Sequence, residues 1–231
     1  MTQYLFDPAP TYALPVAGSD ALYPVHRIYC VGRNYAAHAR EMGKDPDRDP
    51  PFYFMKPAIA LRVAAPSTTV PYPSQTANYH HEIELVVAIG KGGRDIPLEQ
   101  ALEHVYGYAI GLDMTRRDLQ LEARDLGRPW ELGKSFADSA PIGPIHPASE
   151  VGHLALGRIS LSVDGETRQS SDLGKLIWSV AECIAHLSQY EELLPGDLIM
   201  TGTPEGVGPV TPGQRMVGAI DGLGQIEVTV V

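Results

Sequence analysis

The segment Tyr79-His80-His81-Glu82-Ile83-Glu84-Leu85-Val86-Val87 constrains this chain more than any other. It is an extended apolar run that carries two glutamates two residues apart. Side chains alternate faces along a strand, so Glu82 and Glu84 are expected to point the same way. Two carboxylates side by side on one sheet face repel unless a positive charge sits between them, and a divalent cation is the simplest candidate. A third carboxylate, Asp113, ends a second apolar run, Tyr108-Ala109-Ile110-Gly111-Leu112. Three hard oxygen ligands suit Mg²⁺, Mn²⁺ or Ca²⁺ better than Zn²⁺ or copper. Taken alone, the pair also fits a solvated strand face, and Asp113 fits a helix N-cap.

Elsewhere the chain reads as short strands interrupted by helices. Its 23 glycines and 20 prolines in 231 residues favour many turns over a helix bundle. Strands are expected over 28–31, 52–55, 70–73, 159–163, 198–200 and 226–230, with Asp164-Gly165 as a hairpin turn. Helices are expected over 34–42, 97–105, 115–126 and 172–190. In the last of these Leu173, Leu176, Ile177, Val180, Ile184 and Leu187 recur at helical spacing. Gly43 stops the first helix, and the polar stretch 44–51 is expected to be a mobile loop. The fold class is α+β, with a rolled or sandwiched sheet and short helices. Residues 1–24, Pro-rich and aromatic, are expected to be a lead segment packed on a body of residues 25–231.

The net charge of −10 argues against a nucleic-acid surface and against an anionic membrane face. No apolar run approaches the roughly 18 residues of a membrane span, and the first residues lack a basic and then apolar leader. A cytoplasmic location is the expectation. Cys30 and Cys183 lie far apart without metal-binding spacing and are expected to be reduced thiols. The loop from Thr201 to Pro209 is rich in glycine, yet no Gly-Lys-Ser/Thr follows and Thr211 stands where GxGxxG needs its last glycine. Neither GxSxG nor HExxH occurs. Nucleotide-dependent chemistry, serine hydrolysis and zinc proteolysis lose support accordingly.

Further groups bear on chemistry. His38 and Glu41 lie at i and i+3 on one helix face, where a carboxylate orients an imidazole and raises its basicity. An ordinary surface pair has the same spacing. Lys134 sits among apolar and small residues, so it needs a carboxylate or an anionic ligand. Arg116, Arg117 and Gln120 follow Asp113 closely and would lie near a metal held there; surface salt bridges are the plainer alternative for the arginines. Thr203 and free N–H groups of the Gly-rich loop could hold a carboxylate, or the loop could be a plain tight turn.

Taken in order, these segments resemble the fumarylacetoacetate hydrolase family from about Ile28 to the C-terminus. The resemblance is carried by Gly32-Arg33-Asn34-Tyr35-Ala36-Ala37-His38, Lys56-Pro57, His80-His81-Glu82-Ile83-Glu84-Leu85, Leu112-Asp113-Met114-Thr115-Arg116-Arg117-Asp118, Gly133-Lys134-Ser135-Phe136 and Thr201 through Gly208. Within the family the chain is most similar to small bacterial acylpyruvate hydrolases of aromatic (gentisate) degradation. The resemblance implies the mixed β-sandwich roll of the family's C-terminal domain, a homodimer, and Mg²⁺ or Mn²⁺ at Glu82, Glu84 and Asp113. It implies a water-activating dyad of His38 and Glu41 on a lid helix, and substrate contacts from Lys134, Gln120 and Thr203.

The implied reaction is hydrolysis of the C–C bond of a 2,4-dioxo acid, fumarylpyruvate or a related acylpyruvate such as maleylpyruvate. A pyruvate enolate leaves, and the cation and a protonated Lys134 make it tolerable. On charge grounds Arg116 or Arg117 would hold the far carboxylate of a fumaryl or maleyl group. Oxaloacetate decarboxylation and 2-oxo-enoate isomerisation pass through the same enolate, and a non-catalytic binding module could keep the same metal ligands.

Overall fold

A computed structural model describes residues 3–41 and 49–231. Its backbone is a mixed α+β sandwich. The larger sheet runs, edge to edge, through Phe52–Lys56, Ile28–Gly32, Leu198–Met200, Ile83–Ile89, Val105–Leu112, Ala140–Ile142 and Leu61–Val63. The second sheet runs through Glu166–Asp172, Arg158–Val163, Arg215–Ile220, Gly224–Val230 and Ser67–Val70. Each sheet mixes parallel and antiparallel pairs.

The Ile83–Ile89 strand is buried at every position, which explains its near-continuous apolar run. Ile83, Leu85, Val87 and Ile89 face one core with Leu161, Met216 and Val228 of the second sheet. Val86 and Ala88 face another core, shared with Cys30, Ala109 and Met200 and closed by Leu14, Val16 and Tyr23 from the first residues of the chain. Glu84 shares the face of Val86 and Ala88 by strand alternation. Both cysteines are buried and free, and burial pushes both thiols up, that of Cys183 to about 12.

Several elements differ from expectation, each for a local reason. The expected single strand through both glutamates is two strands, Tyr79–His81 and Ile83–Ile89. Tyr79–His81 joins a small separate sheet with Thr115–Arg116 and Gly208–Pro209. Glu82 sits at the break, where its carbonyl accepts the Asp113 N–H at 2.8 Å. The extended piece expected over 70–73 is the strand Ser67–Val70. Leu98–His104 is a 3-10 helix, and Val105 already belongs to the next strand.

The helix expected over 172–190 is Val180–Tyr190 alone; of the apolar residues before Val180, Leu173 opens a 3-10 turn, Leu176 follows that turn and bridges Tyr35, and Ile177 lies outside any helix. What stops an earlier start is Asn34. It is buried rather than helix-initiating, and its side chain accepts the Trp178 N–H at 2.7 Å while donating to the Trp178 carbonyl at 2.8 Å. The helix then begins at Ser179, whose hydroxyl accepts from the Glu182 N–H while the Glu182 carboxylate accepts from the Ser179 N–H. This reciprocal cap is encoded by Ser-x-x-Glu. Replacing Ser179 with Ala should lower unfolding free energy by about 1 kcal/mol, read as a shift in denaturant midpoint at constant slope.

Asp164 and Gly165, at φ +50° and +85°, make the expected two-residue hairpin turn. The helix after Tyr35 spans Ala36–Glu41; its expected continuation through Met42 to Gly43, and most of the loop 44–51, lie outside the described residues. No helix among the described residues is long and apolar enough to cross a membrane.

Candidate active site

Two neighbouring strands bring the three acids together. Ile83–Ile89 and Val105–Leu112 pair antiparallel, with Glu84 opposite Gly111, so Asp113 emerges beside Glu82 and Glu84. One oxygen from each of the three carboxylates lies within 4.8 Å of the others, and all three side chains are buried. The solvated strand face is thereby excluded.

The charges around these acids are unevenly shared. Arg117 donates to Glu82 Oε1 and, at 2.5 Å, to Gln120 Oε1. Lys134 Nζ bridges Glu82 Oε2 at 2.8 Å and Asp113 Oδ2 at 2.6 Å. Burial works against the Lys134 charge, but Asp113 and Glu82 outweigh it and raise its pKa. Burial likewise opposes the Glu82 charge, yet Lys134 and Arg117 hold that carboxyl below the usual range. Glu84 is the exception. Its Oε2 accepts the Gly202 N–H at 2.7 Å, and among the described residues no lysine or arginine pairs with it. Burial, then Asp113 and Glu82, push its carboxyl well above the usual range. Asp113 Oδ1 is buried and receives no hydrogen bond, although the Lys56 ammonium lies 2.8 Å from it.

An acid without a lysine or arginine partner, in a cluster of three converging carboxylates, fits a hard divalent ion. Glu82, Glu84 and Asp113 form a metal site. Lys56 backs it from behind. This fully buried lysine has its Nζ 2.8 Å from Asp113 Oδ1, but it spends its donors on the carbonyls of Met114 and Lys134 and on Ser139 Oγ. It therefore pins the backbone that presents Lys134. Replacing Lys56 with Met should cost about 3 kcal/mol or more, seen as a lower denaturant midpoint.

His38 lines the same cleft as the acids, together with Arg117, Gln120, Lys134 and Thr203. Its Nδ1 lies 3.2 Å from Glu41 Oε2. In the tautomer that donates the Nδ1–H to this carboxylate, Nε2 is the ring nitrogen that carries the lone pair. The His38 hydrogen bond holds the Glu41 carboxyl below its ordinary range, with help from the Gly206 N–H. The Gly-rich loop thus serves both ends of the site, Gly202 holding Glu84 and Gly206 holding Glu41. Both glycines have positive φ, +96° and +88°, and a Cβ would come within 2.8 Å of Asn34 Cβ at the first and 2.1 Å of the Arg168 carbonyl at the second. Only glycine meets both demands.

Of the residues expected here, Arg116 alone turns away. It is absent from the cleft lining; its guanidinium lies 4.2 Å from the Phe136 ring centroid and donates to the Leu132 carbonyl. Arg117 is in the cleft but committed to Glu82 and Gln120. Two contributors escaped the sequence analysis. Lys56 is one: Lys56-Pro57 is part of the family resemblance, but the residues around it imply no role for its side chain. Gln169 is the other. From the second sheet its Oε1 accepts the Ile83 N–H and faces His81 Nδ1, while its Nε2 donates to Thr203 Oγ1 at 2.8 Å and to the Pro204 carbonyl. This leaves the Thr203 O–H free to donate elsewhere. Nothing near Gln169 in the chain announces that contact.

Residues 27–231 match the Fumarylacetoacetate (FAA) hydrolase C-terminal family, and the chain belongs to that family. It is 50% identical over 191 residues to the fumarylpyruvate hydrolase of Ralstonia sp, covering 82% of this chain and 98% of the relative. A crystal structure of fumarylpyruvate hydrolase from Pseudomonas aeruginosa, in complex with Mn²⁺ and pyruvate, superposes with a TM-score of 0.98 at 64% identity over 99% of both chains. A mitochondrial oxaloacetate decarboxylase of Dictyostelium discoideum is 40% identical over 197 residues, 85% of this chain and 89% of that one.

Proposed function

We propose that this protein hydrolyses the C–C bond of a 2,4-dioxo acid, fumarylpyruvate or a related acylpyruvate such as maleylpyruvate, to pyruvate and a carboxylic acid. The observation that carries this reading is the pairing, in one cleft, of a buried acid trio with a histidine whose Nδ1 is held by a carboxylate. A fold built only for binding or decarboxylation has no use for a water-activating base. The likeness to fumarylpyruvate hydrolases supports the substrate class.

When bound at Glu82, Glu84 and Asp113, a hard divalent ion, Mn²⁺ or Mg²⁺, supplies concentrated positive charge where the scissile bond leaves its electrons. The chain's own groups do the rest. His38 Nε2 takes a proton from water, and charged Glu41 stabilises the imidazolium. The resulting hydroxide attacks the C4 carbonyl carbon. As the C3–C4 bond breaks, its electron pair passes into the three-carbon fragment, whose C2 oxygen gains charge. Protonated Lys134 offers its ammonium to that oxygen. A proton returned to C3 completes pyruvate, and the acyl fragment leaves as a carboxylic acid. Thr203 O–H and Gln120 orient the substrate.

The same reading places the enzyme in the cytoplasm as a homodimer. The similarity to an oxaloacetate decarboxylase favours one further reading, loss of CO₂ from oxaloacetate, which needs no attacking water. Turnover of fumarylpyruvate, maleylpyruvate, acetylpyruvate and oxaloacetate, before and after EDTA treatment, separates the two. Cleavage of an acylpyruvate that EDTA abolishes and Mn²⁺ restores is the expected result. Turnover of oxaloacetate alone contradicts hydrolysis.

A further inference from the structure

The inner cations of the cleft are all engaged. Arg117 holds Glu82 and Gln120, Lys134 holds Glu82 and Asp113, and Lys56 holds backbone. None of the three is an uncommitted cation for a second substrate carboxylate. The outer part of the same cleft is different. Its lining also includes Arg33, Arg124 and Leu121, and a run of ring contacts leads from Lys134 over Phe54 (5.2 Å) and Trp130 (5.8 Å from Phe54) to Arg33.

Arg33 extends over two aromatic faces, its guanidinium carbon 5.3 Å from the Phe52 ring centroid and 5.8 Å from that of Trp130. Among the described residues it has neither an ion pair nor a hydrogen bond. Among the described residues Arg124 pairs only with its exposed neighbour Asp125, at 2.8 Å, and about a third of its own side chain is exposed (32%). Partial burial lowers the Arg33 pKa and the nearby Arg124 charge lowers it further, with Asp49 offsetting part of the effect. The two guanidiniums therefore act on one region without a shared counter-ion. Arg33 also sits at φ +57°, a left-handed conformation that glycine adopts with less strain. Its side chain is kept where the backbone alone would favour none.

We propose that Arg33 and Arg124 together hold the far carboxylate of the acyl group, so that the enzyme selects acylpyruvates whose acyl chain ends in a carboxylate over neutral ones. This rests on the acylpyruvate reading above. A planar guanidinium over aromatic rings is prearranged for paired hydrogen bonds to a carboxylate. The apolar walls of Phe54, Leu121 and Trp130 suit the hydrocarbon between the two ends of such a substrate. Arg33 and Arg124 thereby take the role that charge alone assigned to Arg116 or Arg117.

The test uses the Mn²⁺-loaded full chain with Arg33→Gln, Arg33→Lys, Arg124→Gln and the double Gln variant. Two ratios are read: kcat/KM for fumarylpyruvate over acetylpyruvate, and calorimetric affinity for fumarate over crotonate, which lacks the second carboxylate. Each single Gln substitution should lower both ratios on the order of 30-fold, chiefly through KM, and Arg33→Lys should recover part of the loss. Equal loss for both members of each pair, or no change in the ratios, overturns the proposal. Should the wild type cleave neither acylpyruvate, the hydrolase reading fails, and the fumarate-to-crotonate ratio still decides the arginines. Arg124 is half-buried near the end of the helix Arg117–Asp125 and has an ordinary helical backbone, so its variant carries the test if Arg33→Gln does not fold.

Discussion

Replacing Glu84 with Gln should abolish the response of the protein to divalent cations. Glu84 is the one member of the acid trio without a lysine or arginine partner among the described residues, so removing its charge removes the clearest local demand for a cation. Metal affinity should fall at least ~100-fold and acylpyruvate turnover at least ~1000-fold. The metal-free variant should nonetheless be no less stable than metal-free wild type, because the Gly202 N–H can donate to the amide oxygen and the repulsion from Asp113 is gone. The pH dependence follows in sign. The folded Glu84 carboxyl is raised by burial, Asp113 and Glu82, so the folded state binds more protons than the unfolded one above the ordinary carboxylate range. Metal-free wild type should therefore lose stability as pH rises through that range toward the raised value, and the Gln variant should not. Mn²⁺ should restore the loss increasingly with pH, since ligation releases the proton. Thermal melts at several pH values, with and without Mn²⁺, read all of these effects.

Replacing His38 with Ala should lower acylpyruvate hydrolysis by ~10²- to 10⁴-fold. His38 is the histidine that lines the acid-trio cleft and has a carboxylate on Nδ1. Oxaloacetate decarboxylation, if the protein performs it, needs the charge at the trio and Lys134 but no attacking water, so it should fall by less than about tenfold. Glu41→Gln should give an intermediate loss, because the ring keeps its hydrogen bond and loses the charge that stabilises the imidazolium. Equal loss of both reactions in His38→Ala contradicts the division of roles. Circular dichroism and metal affinity of the variant show whether fold and trio are intact.

The acid trio was legible because carboxylates inside a near-continuous apolar run demand a compensating positive charge. Glu82 and Glu84 are 4% and 2% exposed, which a merely amphipathic strand would not produce. The dyad was legible from helical spacing, and Lys134 from its apolar company. The two arginines after Asp113 were not separable, and the reason is geometric. Adjacent helix positions point about 100° apart, so which one faces the acids depends on the residue at which the helix begins. It begins at Arg117, two residues later than the expected 115. The start of the long C-terminal helix was misplaced for a related reason. Leu173, Leu176 and Ile177 do have helical spacing, but Asn34, more than 140 residues away, binds the backbone of Trp178 and fixes it outside a helix. The Gln169 contact with Thr203 and the Lys56 contact with the Lys134 carbonyl are likewise long-range, and local pattern carries no trace of them.

The claim beneath all of this is that three buried carboxylates grip one hard dication. The direct measurement is a titration of metal-stripped wild-type protein with Mn²⁺, following the paramagnetic resonance of the free ion. The free signal should stay suppressed until one equivalent per chain has been added and then rise, with the suppression lost in Glu84→Gln. A free signal that climbs in proportion from the first addition, up to millimolar Mn²⁺, would contradict the account.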